Sequence, residues 1–190
     1  LPMFPQYSTT TTLSIFELIK SIIGKDKSFF KNIRINAVND FHDDNLYIES
    51  CASKISTTQQ RIGKPDKLLF SFHGIPQSYV CEDEPYQSQC LVTASLIAKK
   101  LNLNESQYEV AFQSRFGKAE WIKPYLSSRL EELPQEGIHN IHVFCPGFSS
   151  DCLETIDEIG RESKEEFLEH GGKSFESVSY THLTLPTSLI

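Results

Sequence analysis

Lys67-Leu68-Leu69-Phe70-Ser71-Phe72-His73-Gly74-Ile75-Pro76 passes within ten residues from an apolar, aromatic run to a histidine, a glycine and a proline. The run is strand-sized and too continuously apolar to have one wet face, so it reads as a strand buried on both sides. Gly74 and Pro76 then break it with a sharp turn. Asn32–Val38, Tyr108–Gln113 and His139–Cys145 read as further strands. Between the runs lie helical patterns. Asp43–Gln60 sets Leu46, Tyr47, Ala52 and Ile55 near one face, and Gln87–Leu101 does the same with Leu91, Ala94, Ile97, Ala98 and Leu101. A third helix is expected from Pro124 to Gly137, and a fourth from near Asp151 to His170, stopped by Gly171-Gly172. Strand–helix–strand repetition implies right-handed crossovers and an α/β, doubly wound parallel sheet. Leu1–Phe4 and a helix around Leu13–Ile23 read as the last strand and helix of a second, incomplete lobe, with Thr9–Thr12 as a polar turn between them.

The chain has 190 residues, 39% of them hydrophobic, enough for one domain with a real core. Its 18 basic and 25 acidic residues leave a formal charge of −7 without any dense Lys/Arg cluster, which argues against a nucleic-acid partner. No apolar run approaches the roughly 20 residues of a bilayer span, so no transmembrane segment is expected. The chain opens on Leu1 with neither an initiator Met nor a basic leader, which reads as a truncated start and no secretion signal. Cys51, Cys81, Cys90, Cys145 and Cys152 are scattered and form no CxxC pair, so they read as reduced thiols in the cytoplasm.

Ligands of open α/β sheets bind beyond the carboxyl ends of the strands. His73 leaves its strand there, and an imidazole accepts a proton near neutral pH. Satisfied core histidines are about as common in such places. Cys145-Pro146-Gly147-Phe148-Ser149-Ser150-Asp151-Cys152-Leu153-Glu154 breaks another strand and opens an acidic helix, in which Glu154 and Glu158 share a face. An ordinary acidic first turn explains those carboxylates equally well. Phe112–Trp121 combines Ser114 and Arg115 with the single tryptophan, Trp121, a mixture suited to a flat aromatic ligand bearing carboxylates. Tyr86, in Glu84-Pro85-Tyr86, could line a site or simply pack.

Together and in this order, these segments resemble the ferrochelatase family. Leu1-Pro2-Met3-Phe4-Pro5-Gln6-Tyr7-Ser8 is similar to its crossover segment, and Ser71–Pro76 to its histidine motif. Phe112–Trp121 with Lys123-Pro124-Tyr125 resembles its porphyrin-contacting loop, and Cys145–Glu158 its acidic-helix signature. The resemblance runs to about Phe175. It implies two Rossmann-like lobes around a cleft, with residues 1–30 ending the first, 31–177 forming the second, and 178–190 a foreign tail without fixed structure. It implies insertion of Fe²⁺ into protoporphyrin IX, with His73 and Glu154 as the catalytic pair and His73, Glu154 and Glu158 as metal contacts. Ser114, Tyr86, Trp121 and Phe148 would contact the porphyrin. Iron would be a substrate, with no permanently bound cofactor and no iron–sulfur cluster. The resemblance leaves oligomeric state and peripheral membrane association open. A chelatase for another tetrapyrrole or metal such as cobalt is a near alternative, and a non-catalytic tetrapyrrole-binding module a more distant one.

Overall fold

A computed structural model of the chain describes residues 1–25 and 31–179. Four parallel strands form one sheet: β1 (Lys67–His73), β2 (Tyr108–Gln113), β3 (Asn140–Phe144) and β4 (Ser174–Ser177), in the order β2-β1-β3-β4. The helices are α1 (Ser14–Lys25), entered through a π-helical turn at Thr9–Leu13, then α2 (Asn45–Ile62), α3 (Tyr86–Lys100) and α4 (Leu126–Gln135). A π-helical segment, Glu154–Ser163, runs on into α5 (Lys164–Glu169). None of these helices is long and apolar enough to cross a membrane.

The doubly wound topology follows from the order of the strands. The chain leaves β1 for β2 on one side, returns to β3 on the other side of β1, and ends at β4. With right-handed crossovers, α3 covers one face and α4 and α5 the other. The helix pairings agree, α2 packing with α3 and α4 with α5. The centre of β1 is sealed from both sides, with Leu69, Phe70, Ser71 and Phe72 all at 0% exposure. Its register pairs His73 with Gln113 at the carboxyl end of the sheet. The chain reverses winding direction between β1 and β3, so the crevice beyond those two strand ends is the switch point, the ordinary ligand position of such folds.

Several expectations change. Asn32–Val38 is no strand: it pairs with neither sheet edge, and Ile33, Ile35 and Val38 stay exposed. β-Propensity describes fit to a half-buried sheet and makes no strand without a partner. Leu1–Phe4 is also no strand, because Pro2 and Pro5 cannot donate to a ladder, and it runs as a bend. The strand the sequence reading left out is β4, whose short Ser174-Phe175-Glu176-Ser177 buries only Phe175 fully. Leu91 faces out, and Cys90 and Thr93 join Ala94, Ile97 and Ala98 on the inner face of α3. The third helix starts at Leu126, two residues after Pro124. The expected tail is described only at Val178 and Ser179. Val178 is buried and donates its N–H to Val143 O at 2.8 Å, while residues 180–190 lie outside the described residues.

Candidate functional site

His73 ends β1, and the ladder runs one step further, with Gly74 N donating to Gln113 O at 2.9 Å. Gly74 leaves little room for a side chain. A Cβ there would stand 3.1 Å from both Gln113 O and the Trp121 ring. Trp121 therefore packs against the turn, with its ring 6.3 Å from that of His73. The loops after β1 and β2 are zipped together by Gln77 N to Glu120 O at 2.8 Å and Ile122 N to Ile75 O at 3.0 Å. His73 Nδ1 lies 2.7 Å from Gly74 O. A carbonyl only accepts, so Nδ1 carries the proton and Nε2 is left as the basic nitrogen. Tyr86, at the start of α3, donates its hydroxyl to His73 O at 2.8 Å, and burial pushes its phenol well above the usual range.

The opposite wall follows β3. Phe148 N bonds back to Cys145 O at 3.2 Å, closing a turn whose Pro146 carbonyl accepts from Tyr47 and Gln6. Phe148 meets Phe4 edge to face at 6.4 Å, and Ser149 donates to Met3 O, so the bent N-terminal segment completes the wall. Glu154 stands at the mouth, where the π-helical segment opens. A hydrogen bond from the Cys152 thiol, its own backbone N–H and the nearby His73 hold its carboxyl below the usual range. His73, Glu154, Phe4, Ile75, Tyr86 and Phe148 share the lining of one cavity of about 260 Å³. This is close to the roughly 300 Å³ at which small-molecule sites begin.

Glu158 faces elsewhere. Ser114 donates its backbone N–H and its hydroxyl to the two Glu158 oxygens, at 2.7 and 2.6 Å. Ser114 pays for this in backbone strain, with φ at 62°, a region that non-glycine residues rarely adopt. Behind it Gln113 accepts from Ser71 Oγ at 2.7 Å, which turns its amide N–H group toward Glu158 at 3.5 Å. Ser114, Arg115, Tyr125 and Glu158 line a second recess of about 200 Å³, with the Arg115 guanidinium 4.7 Å above the Tyr125 ring. The structure thus brings His73, Glu154, Tyr86 and Phe148 together, sets Trp121 behind His73, and gathers Ser114 with Glu158 at the end of β2. The sequence reading missed Phe4 and Ile75 as wall residues, and missed Glu84. Glu84 sits in an acidic run, Glu82-Asp83-Glu84, that looks solvated, yet it is 6% exposed.

A ferrochelatase family model matches residues 1–182. The chain is 42% identical over 179 residues to a ferrochelatase of Idiomarina loihiensis, covering 94% of this chain and 48% of that protein. A ferrochelatase of a Janthinobacterium species is 43% identical over 178 residues, covering 94% and 48%. One from Actinobacillus pleuropneumoniae is also 43% identical over 178 residues, covering 94% and 53%. The chain spans about half the length of the curated relatives it matches. With the histidine turn, the acidic helix and the switch-point cavity all lying inside the matched span, the chain belongs to the ferrochelatase family.

Proposed function

We propose that this chain supplies the catalytic lobe of an enzyme that inserts Fe²⁺ into protoporphyrin IX, the closing step of heme synthesis. One observation carries the reading: a basic imidazole nitrogen and a carboxylate of lowered pKa share the lining of one largely apolar cavity. A planar porphyrin carries two inward N–H groups that must leave as the metal enters. Apolar walls such as Phe148, Ile75 and Phe4 grip the ring by burial. His73 Nε2 accepts a pyrrole proton, and Glu154 carries a proton away or escorts the incoming cation, for which carboxylate and imidazole are suitable ligands. Trp121 backs the His73 wall, while Ser114 and Glu158, bonded to each other in the second recess, fix the loop after β2. Iron is a substrate in this scheme, which calls for no resident cofactor or iron–sulfur cluster, and the reaction runs in the cytoplasm.

The test is His73→Ala in the whole protein, with metallation of protoporphyrin by Fe²⁺ or Zn²⁺ followed by absorbance and porphyrin binding followed separately. Loss of a general base is expected to cost roughly 10²–10⁴-fold in turnover, with porphyrin affinity within a few fold. Substantial residual turnover overturns the assignment of His73. A protein that binds porphyrin and never metallates it overturns the enzyme reading.

A further inference from the structure

Glu84 is buried, and the chemistry above makes no use of it. Its carboxylate joins segments far apart in the chain. Oε2 accepts from Thr9 N at 2.8 Å, Thr9 Oγ1 at 2.5 Å and Ser8 Oγ at 3.1 Å. Oε1 accepts from Tyr86 N at 3.3 Å. Thr9 is the first residue of the helical turn that leads into α1, and Tyr86 is the first of α3. One carboxylate therefore caps two helix N-termini.

The two ends use it differently. Pro85, the residue before α3, offers no side-chain cap and α3 has no acidic residue in its first turn, so Glu84 stands in for the missing cap; at Thr9 it joins Ser8, whose hydroxyl already accepts from Thr10 N at 3.2 Å. Unpaired N–H groups and the positive dipole end favour a carboxylate at each start, and bonds to a charged acceptor are the stronger kind. The same two segments are stitched further along by Tyr7 N to Gln89 Oε1 at 2.6 Å and Gln6 Nε2 to Thr93 Oγ1 at 3.0 Å. Glu84 is the stitch at the cavity, because Ser8, Thr10 and Thr11 line it from one helix start and Tyr86 from the other. Tyr86 in turn holds the His73 carbonyl.

We propose that Glu84 is a positioning residue that locks the start of the N-terminal helix to the start of α3, and so sets the width of the cavity beside His73. Its effect on ligand grip rests on the reading of the cavity as a porphyrin site, whereas its coupling of the two helix starts does not. Two variants test it in the whole protein, Glu84→Gln and Glu84→Asp, with amide hydrogen exchange and porphyrin fluorescence quenching as readouts. Glu84→Gln puts an N–H group against donors, so the amides of Thr9 and Tyr86 are expected to lose protection together by about tenfold while Phe70 and Phe72 in β1 keep theirs. The porphyrin dissociation constant should rise by about tenfold, with Glu84→Asp restoring part of the loss. Loss of protection at only one helix start, or equal loss in β1, overturns the proposal. So does an unchanged dissociation constant in Glu84→Gln. If the unaltered protein binds no porphyrin, the functional reading fails, and the exchange pattern alone still decides for or against the clamp.

Discussion

Glu154 and Glu158 sit four residues apart on one helical segment and meet different surroundings. Glu154 looks into the apolar cavity beyond β1 and β3, with a thiol and its own N–H as donors and His73 close by. Glu158 looks toward the end of β2, where Ser114 grips both its oxygens. The contrast teaches that charge and helix position do not assign a role. A carboxylate gripped on both oxygens by donors of a neighbouring strand end is committed to structure, and of the two it is Glu158 that is so held.

Replacing each carboxylate by its amide is the strongest way to break that contrast. Glu154→Gln is expected to lower turnover by roughly 10²–10⁴-fold while porphyrin affinity stays within a few fold. Glu158→Gln should cost turnover far less, and equal losses in steady-state kinetics would erase the distinction. Stability should show the reverse order. Glu158→Ala strands the Ser114 N–H and hydroxyl, and should cost about 1–3 kcal/mol in denaturant unfolding. Paired with Ser114→Ala, it should be clearly non-additive, since both changes remove the bond from the Ser114 hydroxyl to Glu158, while the backbone N–H bond is lost only in Glu158→Ala.

Acid sharpens the comparison between the cavity and the sealed sheet. The Glu154 carboxyl lies below its ordinary 4.5, so it stays ionised until the pH falls under that value. Any acid limb of kcat/KM above about pH 5 should therefore persist with a second group in charge, as a pH–rate profile would reveal. His142 lies inside the sheet with Nδ1 unpartnered, and burial lowers its pKa below 6.5 against the pull of Glu176. The unfolded chain then binds the proton more readily than the folded one. Stability should be fully present above about pH 6.5 and decline as the pH falls toward the lowered value. His142→Asn should flatten that slope in thermal melts, the smallest of these effects.

Much of the architecture was legible locally. The continuous apolar run of β1, its Gly-Pro stop and the periodic faces of α2 and α3 predicted a doubly wound sheet and a site at its carboxyl end. His73 was legible because it ends a buried strand, and Glu154 because Pro146-Gly147 breaks the next strand a few residues before an acidic helical segment. The family resemblance was visible in the same segments. Asn32–Val38 has the alternation of a strand and lacks a partner, a fact no local pattern holds. β4 was missed for the opposite reason, being too short to show a period and yet hydrogen-bonded along β3.

The sequence by itself determined the periods, the turns and the order of the chemical groups, because these depend on residues near one another in the chain. Tertiary structure alone decided that Glu84 is buried between two helix starts, that Leu1–Phe4 bends to place Phe4 on Phe148, and that Glu158 belongs to Ser114. Each depends on donors and walls 40 or more residues away. Hydrogen-bond partners and burial are properties of the packed molecule, and a carboxylate takes its role from them.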